Sequence, residues 1–299
     1  MTRLAWVPIA LVLVLAGCGD DDGGAAHSGT ITVVATTTQA ADFARNVAGS
    51  DADVRQLLAP NADPHEYEVR PQDVEAVSKA DLVVRSGGDV DEWLDEAIEG
   101  SGTDAPVLDL SQGVHLEGDD PHWWQDPRNA VIAVEEIRTA LDKADAAHKA
   151  DYDANAKAYT AKLQALDSDV AACIDKVPQA QRKLVTTHDA LGYYARRYGI
   201  DVIGTVIPSL STEGQPSAGD TAKLIKTIRD TGVKAIFAES SVNPKVEAAI
   251  ASETGAKVGK ALWADTLGPK GSDGATYIES IESNTAAIVD GFTGGRVSC

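Results

Sequence analysis

Between Asn129 and Val177 the sequence reads NAVIAVEEIRTALDKADAAHKADYDANAKAYTAKLQALDSDVAACIDKV, 49 residues without one Gly or Pro. Those two residues are the strongest helix breakers, so the stretch must be largely helical. Its second half places Tyr152, Ala156, Tyr159, Leu163, Leu166, Val170, Cys173 and Val177 at alternating spacings of four and three, which puts them on one stripe. A coiled coil shares that spacing, but most repeats here carry only one or two large apolar side chains, which favours a helix laid across other parts of the same molecule. One uninterrupted helix of this length is unusual in a globular protein, so a break is expected near Asp145 to Ala147. From His148 to Val177 the helix would measure about 45 Å at 1.5 Å per residue, long enough to run the length of two domains.

On both sides of this stretch the chain alternates short β-branched runs with helical periodicity. Thr30–Thr37, Asp53–Leu58, Asp81–Ser86 and Val107–Leu110 read as strands before it, with helices such as Gln39–Val47 and Pro71–Ser78 between them. Lys183–Thr187, Asp201–Ile207, Lys234–Ala238 and Lys257–Trp263 read as strands after it. Several lack polar alternation, as expected of parallel strands covered by helices on both faces. The fold class is therefore α/β: two lobes, each with a mainly parallel sheet, joined by one long helix. The boundaries are 30–147 for the N-terminal lobe, 148–177 for the linking helix and 178–299 for the C-terminal lobe.

The N-terminus carries an address. Arg3 precedes a 13-residue apolar stretch, Leu4–Ala16, shorter than the roughly 20 residues of a membrane-crossing helix and suited to a secretory signal. It ends in Leu15-Ala16-Gly17-Cys18, which resembles a bacterial lipobox; residues 1–17 would be removed and Cys18 lipidated. Residues 18–29, rich in Asp and Gly, read as a flexible tether that includes His27. The expected location is the extracytoplasmic face of the cell membrane. With 26 Lys and Arg against 46 Asp and Glu, the formal charge of −20 repels nucleic acid. Three Cys are too few and too widely spaced for a Cys-rich zinc module, so any metal must be held by His and carboxylates.

Three of the six His stand in unusual settings. His65 lies in Asp63-Pro64-His65-Glu66-Tyr67-Glu68, just after a strand; His122 lies in Asp120-Pro121-His122-Trp123-Trp124-Gln125-Asp126-Pro127, in the loop feeding the long helix. His188 follows the Lys183 strand in Thr186-Thr187-His188-Asp189, and Asp265 follows the last strand. In doubly wound sheets, ligands bind beyond the carboxyl ends of the strands, where His65, His188 and Asp265 all fall. Three imidazoles and a carboxylate make an N3O set compatible with zinc. The spacing differs from the H-E-x-x-H pair of many zinc hydrolases.

The lipobox, DPHEYE, DPHWWQDP, the long linking helix and TTHDALGYY together resemble the zinc and manganese class of ABC-importer substrate-binding lipoproteins, from about Thr30 to Phe292. The resemblance implies two α/β lobes on a rigid helix with the metal in the cleft between them. It makes His65 and His122 the N-lobe ligands and His188 and Asp265 the C-lobe ligands. Asp265 rests on the shortest motif, and Glu239, which also ends a strand at this edge, is the alternative fourth ligand. A His as third ligand goes with the zinc branch of that class, and imidazole-rich sites suit zinc; a manganese-carrying protein of the same class is the alternative. The His-rich acidic loop of many zinc-type members is missing, since Ser111–Asp119 holds only His115.

A ligating imidazole needs a partner for its other nitrogen, and Glu66, Glu68, Asp126, Asp189 and Glu239 are candidates, with Glu239, Asp126 and Asp189 the ones singled out. Trp123 and Trp124 could shield the site. His148 reads as a solvated helix residue. Outside the cytoplasm Cys173 and Cys299 are permitted to form a disulfide, worth on the order of 4 kcal/mol by the chain-entropy model. The function implied is capture of Zn(II) as transported ligand by a monomer and its delivery to an ABC permease with its ATPase, an accessory metal chaperone being a further candidate partner. An enzyme is not expected: a zinc hydrolase would need a water on the metal, and four protein ligands leave no open position.

Overall fold

A computed structural model describes residues 30–299. The expected signal peptide, lipidation site Cys18 and tether with His27 lie outside the described residues. Among those that are described, no helix is long and apolar enough to cross a membrane.

The N-terminal lobe alternates β1 (Ile31–Ala35), α1 (Thr38–Ala48), β2 (Ala52–Gln56), α2 (Pro71–Val77), β3 (Leu82–Arg85), α3 (Leu94–Ser101) and β4 (Val107–Asp109). Its strands form one parallel sheet in the order β2-β1-β3-β4, with Val33 opposite Val54 and Leu82. The absence of polar alternation has a direct cause: Ile31, Val33 and Ala35 of β1 enter one apolar cluster and Val34 enters another on the opposite face. In β3, Leu82 and Val84 likewise point one way and Val83 the other. Helix starts follow local chemistry. Thr37 accepts the Ala40 N–H at 3.2 Å ahead of α1, and Pro71 occupies the first turn of α2, where no N–H is needed.

The glycine-free stretch forms two helices rather than one. α4 (Pro127–Ala144) ends at Asp145, a single 3-10 turn covers Ala146–His148, and α5 (Lys149–Ile174) follows. Asp145 holds the corner: its Oδ2 lies 2.6 Å from His148 Nδ1 and accepts the Tyr152 hydroxyl at 2.9 Å. All eight residues of the stripe from Tyr152 to Val177 are buried. They pack against α1 of the first lobe and, after the chain passes on, against the last helix of the second.

The C-terminal part contains β5 (Lys183–Thr186), α6 (Gly192–Tyr198), β6 (Asp201–Thr205), α7 (Ala218–Thr231), β7 (Ala235–Ile236), α8 (Lys245–Thr254), β8 (Lys257–Val258) and α9 (Tyr277–Thr293). β5 pairs in parallel with β6 and β7 with β8, and the Phe237 N–H donates to Val185 O at 2.9 Å to join the two ribbons. The run Lys257–Trp263 is not one strand. It breaks at Gly259, where a Cβ would come within 2.6 Å of the Phe237 ring, and touches the sheet again only at Leu262, opposite Glu239.

The two lobes do not keep separate inner cores. One apolar cluster runs from β1 and α1 through α4, α5 and α6 to Leu184, Phe237 and α9. Phe43 of α1 meets Tyr277 of α9 edge-on at 4.9 Å, and each large side chain buried this fully contributes about 1.5–3 kcal/mol. Asp42 ties the same junction with polar bonds, accepting the Tyr159 hydroxyl at 3.0 Å and the Tyr277 N–H at 3.3 Å. Burial pushes its carboxyl up, against the pull of those two donors. The outer clusters, under α2 and α3 on one side and under α7 and α8 on the other, are smaller and separate.

Candidate metal centre

Four segments deliver side chains to one point at the carboxyl ends of the strands. His65 comes from the loop between β2 and α2, and His122 from the turn that leads into α4. His188 stands two residues past β5, and Asp265 three residues past the Leu262 contact. The four ligand atoms lie within 4.8 Å of one another, the one such His, Cys, Asp and Glu cluster among the described residues. Asp265 Oδ2 is 3.4 Å from His65 Nε2 and 3.1 Å from His188 Nε2, and its Oδ1 is 3.4 Å from His122 Nε2. The His122 and His188 Nε2 atoms face each other at 3.3 Å.

What stands behind each imidazole decides what the front can do. His122 Nδ1 is 2.8 Å from Asp120 Oδ1, and His188 Nδ1 is 2.6 Å from Glu239 Oε1. The same two carboxylates accept the backbone N–H groups of His122 and His188, at 3.0 and 3.1 Å. With the proton placed on Nδ1, each Nε2 presents a lone pair to the centre. Two lone pairs 3.3 Å apart repel unless a cation or a proton lies between them. His65 Nε2 and both Asp265 oxygens are also buried without a hydrogen-bond partner. The donors therefore converge on a common centre, as a metal-binding set does.

Electrostatics agree. Burial alone would push the His188 imidazole down, yet the charges of Asp265 and Glu239 hold it well above the usual histidine range. Burial alone would raise Asp265, but the fields of His188 and His122 hold it well below the usual carboxylate range. Burial raises Glu239, with His188 opposing. Without a cation the centre is thus a buried imidazolium and carboxylate pair.

The wall holding Asp265 is contributed by the other lobe. Trp124 Nε1 and Gln125 Nε2 both donate to Ala264 O, at 3.1 and 2.7 Å, and Thr38 Oγ1 accepts the Leu267 N–H at 2.7 Å. Trp124 also lies edge-on to His122, ring centroids 5.4 Å apart, so it both shields the centre and ties the lobes.

Of the candidate supporting carboxylates, Glu239 lies behind His188, and it is not within the converging set. Asp126 is elsewhere: it caps α4, accepting the Arg128 N–H at 2.9 Å, and its oxygens engage the Arg128 guanidinium. Asp189 is exposed, and its N–H donates to Ser209 O. Glu66 and Glu68 are exposed as well. Asp120 was missed, although the signal was present in Asp-Pro-His: a carboxylate two residues before the ring, with a proline fixing the turn between them. His115 is exposed, and His148 belongs to the helix corner. Cys173 and Cys299 are brought together, Cα to Cα 5.3 Å, where the chain end meets α5.

Comparison with known proteins was made against this geometry. The family described as ZnuA, zinc-uptake complex component A periplasmic, has a sequence model that matches residues 33–291. The manganese-binding lipoprotein MntA of Halalkalibacterium halodurans is 29% identical over 296 residues, covering 97% of this chain and 98% of that protein. The iron-binding protein YfeA of Yersinia pestis is 32% identical over 269 residues, covering 87% and 86%. The solved structure of the periplasmic zinc binding protein TroA from Treponema pallidum superposes with a TM-score of 0.82 at 29% identity, over 88% of this chain and 99% of that one.

Proposed function

This chain belongs to the ZnuA family, the periplasmic metal-binding components of ABC importers, and from that premise we propose that its cargo is Zn(II), held by His65, His122, His188 and Asp265. The carrying observation is the spacing of the donors. A tetrahedron with zinc-to-ligand arms of about 2.0–2.1 Å has edges of about 3.3–3.4 Å. Four of the donor spacings, 3.1, 3.3, 3.4 and 3.4 Å among Nε2 atoms and the two Asp265 oxygens, lie close to that value, and all four ligand atoms fall within 4.8 Å of one another. Manganese is the second reading. Both Asp265 oxygens lack a hydrogen-bond partner, so the carboxylate could bind through both and supply the larger oxygen share that manganese prefers. The relatives are named for manganese, iron and zinc, so resemblance does not choose among them.

In this reading the cargo passes to a membrane permease driven by its ATPase, without chemistry on the metal. Residues 30–147 and 178–299 act as the lobes, 148–177 as the helix between them, and the continuous inner core makes a large hinge motion costly. Residues 1–17 are the signal and 18–29 the tether of a monomer anchored through Cys18 to the outer face of the membrane, open to loading by a metal chaperone. A Cys173–Cys299 disulfide would tie the chain end to α5; two free thiols on the unreduced protein would refute it. The test of the metal is elemental analysis with competitive titration of zinc against manganese, beside His188→Ala. One zinc per chain, preferred over manganese and lost in the variant, is the expected result. Preference for manganese, or binding indifferent to His188, would overturn the assignment.

A further inference from the structure

Among the buried acids outside the centre, one lines a cavity. Glu247, in the first turn of α8, is 2% exposed; its Oε1 accepts the Thr187 hydroxyl at 2.7 Å, while its Oε2 is buried with no partner. Thr212, 6% exposed, also has a buried hydroxyl with no partner. Both line one cavity of about 460 Å³ at the carboxyl ends of β5, β6 and β7, whose mouth carries Asp63 and Glu66. This is a crevice where doubly wound sheets take ligands. It adjoins the centre through the chain: Asp63 and Glu66 flank His65, and Thr187 precedes His188.

The lining names the class of ligand. Three carboxylates face one cation, Lys245, and the remaining polar groups are hydroxyls and amides, with no imidazole or thiol. Hard oxygen donors of this kind suit a divalent cation of the magnesium, calcium or manganese type, or any divalent ion that still carries its water. The carboxylates do not converge as the donors of the centre do, which fits an ion held through its water shell. Six waters at about 30 Å³ each need about 180 Å³, which the cavity accommodates.

We propose that this pocket is a second cation site, holding the divalent cargo in hydrated form, with Glu247 and Thr212 as its inner acceptors and Asp63 and Glu66 at its entrance. It rests on the reading that the cargo is a divalent metal, and its position beside His65 and His188 makes it a station from which the ion sheds water into the nitrogen-rich centre.

The probe is Mn(II) added to protein already loaded with one equivalent of zinc, at about 0.15 M salt to screen exposed carboxylates. Free Mn(II) is followed by electron paramagnetic resonance and bound Mn(II) by water-proton relaxation. One Mn(II) per chain with strong relaxation enhancement is expected, because the bound ion keeps exchangeable water. Glu247→Gln should weaken it by at least about tenfold, the scale of one hydrogen bond to a charged group, and Thr212→Val by less, with zinc stoichiometry unchanged in both. Thr212→Val keeps the test alive should Glu247→Gln fold poorly. No second ion on the zinc-loaded protein, or one indifferent to both variants, would overturn the site. Failure of the first equivalent of zinc to bind would instead count against the zinc centre, and the effect of the variants on Mn(II) would still report on this pocket.

Discussion

The tripeptide Asp-Pro-His occurs twice, at 63–65 and 120–122, and the structure uses the two copies differently. In the second copy everything is buried, and Asp120 Oδ1 takes both the backbone N–H of His122, at 3.0 Å, and its ring nitrogen, at 2.8 Å. In the first, Asp63 takes the backbone N–H of His65, at 3.0 Å, in a loop whose Asn61, Glu66, Glu68 and Arg70 are exposed. The His65 ring is itself 5% exposed, but its surroundings are a surface loop rather than the interlobe wall. One motif thus fixes its imidazole at ring and backbone, the rigid copy, and the other fixes only the backbone behind its imidazole, the adjustable copy. A carrier that must both grip and release has use for that asymmetry, since a site with four rigid donors would let go slowly.

The largest effect should come from the rigid copy. His122→Ala is expected to weaken metal binding by more than about 100-fold, beyond the usual loss for a supporting carboxylate, whereas His65→Ala should cost about 10- to 100-fold because water can replace an adjustable ligand. Competitive titration with a chromophoric chelator measures both. Equal losses, or a larger loss at His65, would break the comparison. Next come the carboxylates behind the rings. Asp120→Asn should cost about 10- to 100-fold through loss of ring orientation and basicity, and Asp63→Asn distinctly less, because Asp63 holds backbone.

The third imidazole, outside either copy, carries the pH response. His188 is held protonated well above its ordinary range, so below that raised value a metal must expel its proton. Affinity therefore rises with pH until the raised value is passed, at about tenfold per unit for one proton displaced, and then levels. For the metal-free protein the sign is opposite. The stability from His188 is lost as pH rises through its raised folded value and that from Asp265 is lost as pH falls through its depressed one, so the pair stabilises most between the unfolded carboxylate and histidine values. Calorimetry of metal binding in buffers of different ionisation enthalpy should show about one proton released per ion near neutrality; none would contradict the charge state of His188.

How much of this was legible in the sequence depends on whether a signal was local. The break near Asp145 was readable because helix length and composition are local properties, and so were β1 and β3, whose Val-rich runs admit little but a doubly covered strand. His65, His188 and Asp265 were legible as neighbours because strand ends in an α/β fold meet along one edge, while His122, in a loop, was joined to them by the family resemblance. Asp126 and Asp189 were drawn from proximity in sequence, which is a poor guide: one was claimed by a helix start and an arginine, the other turned to solvent. Asp120 escaped because only the folded turn through Pro121 brings its carboxylate back onto the His122 ring. The single inner core was also beyond reading. The stripe on α5 was visible, but its partners on α1 and α9 lie far from it in sequence, and only the tertiary fold brings them together.

The smallest effect concerns the anchoring of the adjustable loop. Trp93 Nε1 donates to Pro64 O at 3.2 Å, and its ring lies against Tyr67 with centroids 4.5 Å apart. Tyr67 is fixed in turn, its hydroxyl donating to Asp73 at 2.8 Å. Burial and that bond together push the Tyr67 hydroxyl up to about 12, so it stays a donor throughout the neutral range. Trp93→Phe keeps an aromatic face for Tyr67 but removes the donor to Pro64, one hydrogen bond worth about 0.5–1.5 kcal/mol. If the loop is the adjustable half of the site, little of that loss should reach the equilibrium affinity. It should appear instead as faster metal dissociation to a chelator in stopped-flow mixing, by a few fold at most. The matching change behind the rigid copy is Trp124→Phe, which removes the donor to Ala264 O while Gln125 still holds that carbonyl. Dissociation should respond less there than at Trp93, although the centre is nearer, because a second donor spans the same gap. A reversed order would place the give of the site in the wall between the lobes rather than in the loop.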